Sequence, residues 1–135
     1  MHDANAYEAE TDGIIVRVRP SYLAGQSDPD SGRWVWAYQV EIENRGPAPV
    51  QLVARHWIIT DARGQIEDVR GPGVVGEQPT IPPGDSYSYT SGCPLGTASG
   101  SMAGSYQMTD AEGRTFEAVI PAFSLDVPGE RRVLN

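Results

Sequence analysis

Large side chains occupy every second position from Trp34 to Ile42, and smaller or polar residues stand between them. On a β-strand, successive side chains point to opposite faces, so this alternation places all of the large residues on one face. On a helix, successive large residues would lie about 200° apart and would surround the axis. The large residues are Trp34, Trp36, Tyr38, Val40 and Ile42. We therefore predict a strand over Trp34 to Asn44 with one face in the core.

Burial of five such side chains is worth roughly 7–15 kcal/mol, an upper estimate comparable with the net stability of a whole domain. The chain has six further short runs of strand character: Ile14 to Arg19, Val50 to Thr60, Gln65 to Arg70, Ser86 to Gly92, Ser101 to Thr109 and Arg114 to Ile120. No stretch of a dozen residues has helical periodicity. We predict an all-β fold, an immunoglobulin/fibronectin type III-like β-sandwich of about seven antiparallel strands.

Two short segments have the residues of the same turn. Asp61-Ala62-Arg63-Gly64 and Asp110-Ala111-Glu112-Gly113 each place Asp at the first and Gly at the fourth position. In a type I turn, an Asp side chain accepts hydrogen bonds from the turn backbone, and Gly adopts the positive φ that follows. Both segments are predicted to be hairpin corners.

Three connections are longer than hairpin turns: Pro20 to Arg33, Gly71 to Asp85 and Cys93 to Gly100. The second of these is unusual because Val74, Val75 and Ile81 stand among its Gly and Pro residues. Long loops without secondary structure of their own are uncommon in compact domains and are often functional. We expect the binding function to lie in the segment from Gly71 to Asp85.

The chain has 135 residues, a length typical of one domain. We predict a tail over residues 1–10, a sandwich domain over 11–125 and a second tail over 126–135. Its net charge is −8, and every basic residue is Arg. Such a charge repels nucleic acid, so we expect no nucleic-acid partner.

A single cysteine, Cys93, excludes an intrachain disulfide and suits a reducing compartment. The N-terminus lacks the basic start and apolar stretch of a secretory signal. No segment has the ~18 consecutive apolar residues that span a bilayer. We therefore expect a cytoplasmic protein with no membrane insertion.

Residues 71–76, Gly-Pro-Gly-Val-Val-Gly, match the G-x-G-x-x-G pattern of dinucleotide-binding folds. That use requires a following helix whose N-terminus faces a pyrophosphate. The next residues contain three prolines within seven positions and cannot form that helix. Pro72 also removes a donor, and Glu77 adds a negative charge. The favoured interpretation is a Gly-rich loop in which Gly provides backbone freedom.

Catalysis would have to use His56, which is the only His outside the N-terminal segment. Its nucleophile would be a Ser or Cys93, yet Cys93 precedes Pro94 and lacks the sharp strand-to-helix turn that presents such a nucleophile. We expect His56 to be a strand residue whose ring has a structural partner. The sequence predicts no catalytic residue and no enzyme activity.

One usable His and one Cys are too few for a closed zinc site. An oxygen site for a hard cation is conceivable with Asp61, Glu67 and Asp68, or with Asp28 and Asp30. These carboxylates lie in or beside turns, where acidic residues commonly serve solubility and turn geometry. We therefore expect no metal site and no cofactor.

Several ordered motifs resemble the ApaG family (the ApaG domain, DUF525 type). They extend over roughly Thr11 to Leu125. They are Tyr38-Gln39-Val40-Glu41-Ile42-Glu43-Asn44, Gln51-Leu52, Arg55-His56-Trp57-Ile58-Ile59-Thr60-Asp61, Gly71 to Pro79, Pro83-Gly84, Tyr89-Thr90-Ser91-Gly92, Met102, Gly104, Tyr106, Met108, Phe116, Ile120-Pro121 and Phe123.

The resemblance implies a fibronectin type III-like sandwich. It also implies an association with cobalt resistance and magnesium efflux, and, from similar domains in eukaryotic proteins, a protein-binding role. It transfers no catalytic residue to this chain.

The leading hypothesis is a non-catalytic protein-interaction module that binds an unidentified protein. Its candidate binding loop comprises Gly71, Gly73, Val74, Val75, Gly76, Glu77, Gln78 and Pro79, with Arg55 and Trp57 as adjacent surface. A first alternative is a small-ligand binder that holds a pyrophosphate or a dinucleotide in the Gly71–Gly76 loop. A second alternative is a direct binder of divalent cations, suggested by the acidic excess.

Overall fold

Nine strands lie within residues 6–129, the part of the chain that the computed structural model describes. They are β1 (Tyr7–Thr11), β2 (Ile14–Tyr22), β3 (Trp34–Asn44), β4 (Val50–Asp61), β5 (Ile66–Pro72), β6 (Thr80–Ile81), β7 (Ser86–Leu95), β8 (Gly100–Asp110) and β9 (Thr115–Leu125). Two 3-10 turns, Ala24–Gln26 and Pro29–Ser31, lie between β2 and β3. This range contains no α-helix, and so no helix long and apolar enough to cross a membrane.

All strand pairs are antiparallel, and the strands form two sheets. The first sheet has the order β1-β2-β3-β7, and the second has the order β5-β4-β8-β9 with β6 paired to β4. The apolar faces of the two sheets meet in one core that contains residues of both. The predicted all-β sandwich is confirmed, with nine strands in place of about seven.

The alternation in β3 is confirmed from Trp36 onward, whereas at the start of the strand Trp34 is half-buried and Val35 is buried. Trp36, Tyr38, Val40 and Ile42 are buried, whereas Gln39 is exposed. Tyr38 packs edge-on against Trp57 from the opposite sheet, with ring centroids 5.1 Å apart. Edge-to-face aromatic pairs of this kind add about 0.5–1.5 kcal/mol beyond their buried area. β3 therefore connects the two sheets through its aromatic side chains.

The alternation in β4 reverses partway along the strand. Val50 and Leu52 are buried at its start, and Trp57 is buried further on. A bulge between Leu52 and Ala54 shifts the register against β8. Because a bulge inserts one extra residue, it moves the inward positions from even to odd numbers. Trp57 was predicted to be part of a surface; it instead belongs to the core, at 3% exposure.

Both predicted hairpin corners have the expected turn geometry. Asp61 Oδ1 accepts the N–H groups of Arg63 and Gln65, each at 2.9 Å, and Gly64 has φ 82°. The second corner repeats this arrangement around Asp110, with Gly113 at φ 81°. The shared residue pattern therefore produces a shared hydrogen-bond pattern.

Several connections are shorter than the sequence indicated. β1 begins at Tyr7, within the segment assigned to a tail, and β2 continues through Pro20 to Tyr22. β7 extends to Leu95, so Cys93 and Pro94 are strand residues and do not lie in a loop. The predicted C-terminal tail begins beside the core, because Trp36 Nε1 donates to the Asp126 carbonyl at 2.8 Å. Residues 1–5 and 130–135 of the two predicted tails lie outside the described residues.

Candidate functional site

The connection from β5 to β7 begins with a tight hairpin turn over residues 74–77. Glu77 N donates to the Val74 carbonyl at 2.9 Å, and Val74 N donates back to the Glu77 carbonyl at 2.8 Å. Val75 has φ 44° and Gly76 has φ 82°. Positive φ at both central positions defines a type I′ turn, for which Asn-Gly is the preferred pair. We call residues 74–77 the Val75 turn.

Val75 has a backbone conformation that β-branched residues strongly disfavour. A β-branched residue at positive φ is a genuine outlier, and the left-handed region costs an L-residue about 1–2 kcal/mol. The side chain is also 57% exposed, so burial in this chain gives little compensation. Strained backbone positions cluster where function requires them. The tip of the Val75 turn is thus a strained, apolar and exposed point on the surface.

Val74 and Gly73 fix the position of this tip relative to the core. The Val74 side chain is 1% exposed and belongs to the core, so it anchors the turn and is unavailable for contact. A Cβ at Gly73, which has φ 58°, would stand 2.1 Å from the Glu77 carbonyl oxygen. Residue 73 must therefore be Gly, because the two sides of the turn approach too closely for a side chain. The sequence assigned Val74 and Val75 to one contact surface, and the structure separates them.

The segment that follows the turn, from Gln78 to Ile81, is bonded to β4, whereas the sequence predicted a loop without such bonds. Gln78 Nε2 donates to the Val53 carbonyl at 2.8 Å, and Leu52 N donates to the Pro79 carbonyl at 2.9 Å. Next, β6 pairs with the start of β4 and buries Ile81. Side-chain and backbone hydrogen bonds together thus fix the turn to the sheet. The Val75 turn is consequently a rigid projection.

Arg55 braces the other side of the turn. Its Nη1 donates to the carbonyls of Pro72 and Gly73, each at 3.0 Å. A Cβ at Gly71 would approach Arg55 Nη2 to 2.9 Å, so the guanidinium lies directly over the Gly71 backbone. Arg55 therefore positions the turn.

A groove of about 460 Å³ lies beside this turn on the outer face of the second sheet. It is lined by backbone and side chains of Val53, Ala54, Arg55, His56, Arg70, Gly71, Pro72, Gln78, Ser105, Gln107 and Glu117. The exposed guanidinium of Arg70 contributes positive charge to its wall. Arg70, Ser105 and Gln107 were not singled out from the sequence. Outward alternation on β5 and β8 was the available signal, but it cannot show that the two strands flank one groove.

The backbone donors of the G-x-G-x-x-G segment are mostly engaged within the protein. Gly73 N donates to the Val53 carbonyl at 2.8 Å, and Val74 N donates to Glu77 as described. Pro72 has no N–H. A pyrophosphate cradle depends on several convergent free N–H groups. The geometry of this segment therefore supports a turn better than it supports a phosphate site.

His56 has a structural partner, as predicted. Its Nε2 lies 2.6 Å from Asp68 Oδ1 on the neighbouring strand. Cys93 is 3% exposed and lies in the other sheet. Burial raises the pKa of the Cys93 thiol to about 11, which suppresses the reactive thiolate near neutral pH. These two residues therefore do not form a nucleophile and base pair.

Three of the five candidate cation ligands are used in local hydrogen bonds. Asp61 Oδ1 binds its own turn, and Asp68 pairs with His56. Asp28 Oδ2 accepts a hydrogen bond from the Ser31 hydroxyl at 2.8 Å. Within residues 6–129, no group of three or more His, Cys, Asp or Glu side chains is arranged to hold a metal ion. The geometry gives the cation alternative no support.

Comparison with known proteins places the chain among close relatives. The family model of the ApaG domain matches residues 24–110. Protein ApaG of Mesorhizobium japonicum is 57% identical over 129 residues, covering 96% of this chain and 99% of the relative. Protein ApaG of Brucella anthropi is 58% identical with the same coverage. Both relatives thus align with this chain over nearly their full length.

A solved structure has the same fold. The crystal structure of a Bordetella pertussis protein titled ApaA superposes with a TM-score of 0.84 and 46% sequence identity. The match covers 87% of this chain and 95% of that one. The sandwich, the domain match and the full-length similarity agree, and we conclude that this chain belongs to the ApaG family.

Proposed function

We propose that this protein is a non-catalytic protein-interaction module whose main contact is the Val75 turn, with the adjacent groove completing the surface. The observation that carries the proposal is Val75 itself. A β-branched side chain stands at φ 44° and is 57% exposed. Asn at this position would be less strained and more soluble. Burial of the Val75 side chain by a partner would explain why a valine stands at this position.

The free energy gained when a partner buries Val75 is similar in size to the backbone strain at this residue. Burying the exposed part of Val75 against a partner contributes about 1–2 kcal/mol at ~25 cal/mol per Å². The strain of the left-handed conformation is of the same order. Because Arg55, Val74 and Gln78 already hold the turn, binding requires little ordering. Preorganisation of this kind raises affinity by reducing the entropic cost of association.

The groove adds chemical selectivity. The Arg70 guanidinium is exposed at its wall and forms no ion pair within residues 6–129. An acidic side chain of the partner would satisfy it, while the amide of Gln107 binds partner backbone. The contact surface is thus an apolar tip beside a polar groove, which matches the mixture found in protein–protein interfaces.

The family resemblance connects this module with cobalt resistance and magnesium efflux. In this proposal the protein acts in the cytoplasm and influences cation transport through a protein partner. It does so without binding the cation itself.

The test compares two valine substitutions of the same chemistry. Val75→Asn removes the apolar tip in a turn that favours Asn, and Val119→Asn changes a valine on β9 that is 50% exposed. Each variant and the wild type are immobilised and exposed to lysate of the protein's own cell, and retained proteins are quantified by mass spectrometry. We expect a partner retained by wild type and Val119→Asn and lost from Val75→Asn. Equal retention by all three would refute the assigned surface.

A further inference from the structure

Within residues 6–129, the first sheet has β1 and β7 at its edges, and the second sheet has β9 at one edge and β5 with the short β6 at the other. The edges formed by β1 and β9 cover each other. β1 and β9 lie side by side, where Val119 N donates to Thr11 Oγ1 at 3.0 Å and the Tyr7 ring lies 5.9 Å from that of Phe123. β5 and β7 are the remaining edges, each paired on one side. A free edge presents unpaired N–H and C=O groups to any strand that approaches.

The backbone groups that β7 presents follow from its pairing with β3. Asn44 N donates to the Asp85 carbonyl at 2.9 Å, and these two residues continue the β3–β7 register. In an antiparallel ladder, residues that bond across the pair alternate with residues that turn their groups away. Odd-numbered residues of β7 therefore bond to β3. Even-numbered residues, including Ser86, Ser88 and Thr90, present N–H and C=O groups at the free edge.

The position of Pro94 fits this alternation of inward and outward backbone groups. Pro94 is an even-numbered residue of β7, so its missing N–H removes no bond to β3. Pro72 occupies the equivalent outward position on β5, as judged from the bond between Asp61 N and the Gln65 carbonyl. The prolines within these edge strands are thus placed where the ladder does not need a donor.

β7 lacks the charges that usually protect an edge. Its ten residues, Ser86–Leu95, contain no charged side chain. The β5 edge has Asp68 and Arg70 beside its outward backbone groups, and β1 has Glu8 and Glu10. Natural sheets block unwanted strand addition with such charges, with proline and with short edges. Over Ser86 to Gly92, β7 has none of these protections.

A cleft lined by both acidic and aliphatic residues adjoins the end of this edge. Its volume is about 220 Å³, and Ile59, Ile66 and Leu95 line it together with Asp61 and Glu67. A strand added to β7 would reach this cleft with one of its inward side chains. The cleft suits an aliphatic residue with a basic residue beside it.

We propose that the β7 edge is a second docking site, which binds an extended peptide segment by strand addition. The segment alternates apolar and polar residues and has basic residues at its ends. Main-chain bonds to Ser86, Ser88, Thr90 and the Gly92 backbone provide affinity, and the cleft provides selectivity. The Val75 turn adjoins this edge, because the Tyr87 hydroxyl donates to Glu77 Oε2 at 2.9 Å, but the outward backbone groups of β7 are not part of that turn. A second copy of this chain fits less well, because each copy has a net charge of −8.

The direct test uses a synthetic peptide of about ten residues in which valine alternates with threonine between terminal lysines. Amide hydrogen exchange is followed by NMR on the wild-type protein. On peptide addition we expect slowed exchange at Ser88, Thr90 and Gly92, whose N–H groups are free. Tyr87 and Tyr89 should change little, because their amides already bond to β3. Equal protection of both sets, or of neither, would overturn the proposal.

Three variants test whether the peptide binds to the β7 edge or to another surface. Ser88→Pro removes one outward donor and leaves the bonds to β3 intact, and Ser88→Ala removes only the hydroxyl. We expect the peptide Kd to rise about tenfold or more in Ser88→Pro and to stay unchanged in Ser88→Ala and in Val75→Asn. Replacing the terminal lysines by glutamates should also weaken binding. An unchanged Kd in a folded Ser88→Pro protein would contradict strand addition.

The oligomeric state is measured in the same experiment by analytical ultracentrifugation. A monomeric wild type that binds the peptide supports the proposal. A wild type that dimerises through this edge, becomes monomeric in Ser88→Pro and ignores the peptide would assign the edge to a second copy of the chain and overturn the peptide site.

Discussion

Val75→Asn should make this protein more stable while it removes the proposed contact. The valine is held at φ 44° by the two hydrogen bonds that close the turn. An L-residue pays about 1–2 kcal/mol in this region, whereas Asn tolerates it because its short polar side chain bonds locally. Little apolar burial is lost, since the side chain is 57% exposed. We therefore expect the free energy of unfolding to rise by about 1 kcal/mol.

Urea and thermal unfolding measure this change directly. A gain of about 1 kcal/mol corresponds to a rise in Tm of about 3–6 °C for a domain of this size. Val119→Asn is the matched control, because it makes the same replacement in a strand, where Asn is disfavoured. It should lower the Tm. An unchanged or lower Tm in Val75→Asn would show that residue 75 is not strained in solution, and the argument from strain to function would fail with it.

Three further predictions test the packing around the site and the core. Gly73→Ala should destabilise by more than about 2 kcal/mol because its methyl group meets a carbonyl across the turn, whereas Gly76→Ala, with open space around it, should cost about 1 kcal/mol in a comparison of urea midpoints. Tyr89→Phe should cost about 1–3 kcal/mol, because it leaves the buried Tyr106 hydroxyl without its hydrogen-bond partner, and adding Tyr106→Phe should restore part of the loss. Cys93 should react slowly with a thiol reagent at about pH 8 and rapidly in denaturant, since burial raises its pKa to about 11; rapid reaction of the native protein would contradict the buried position.

The elements that the sequence predicted well are those specified by local chemistry. The alternation from Trp34 to Ile42 placed β3 and its buried face correctly. The two Asp-to-Gly segments produced the expected turns, because each contains its own hydrogen-bond acceptor and its own residue for positive φ. Neither inference required knowledge of a distant residue.

The misplaced residues depended on contacts between distant parts of the chain. Trp57 was wrongly assigned to a surface. Its position follows a bulge in β4, and a bulge reverses the inward parity of a strand without a reliable mark in the sequence. Cys93 and Pro94 were assigned to a connection of small residues that follows the strand ending at Gly92. The tertiary structure shows that this proline lies where an edge strand needs no donor.

The difference between what the sequence determined and what the tertiary structure decided is clearest at the binding loop. The residues alone indicated that a Gly-rich apolar segment interrupts the strands. Only the folded chain decided that Val74 enters the core, that Val75 projects at positive φ and that Gly73 permits the close approach of the Glu77 carbonyl. Local sequence determines which residues alternate and where the chain turns. The side of the sheet that is covered, and the edge that stays open, are decided by packing against residues far away in the chain.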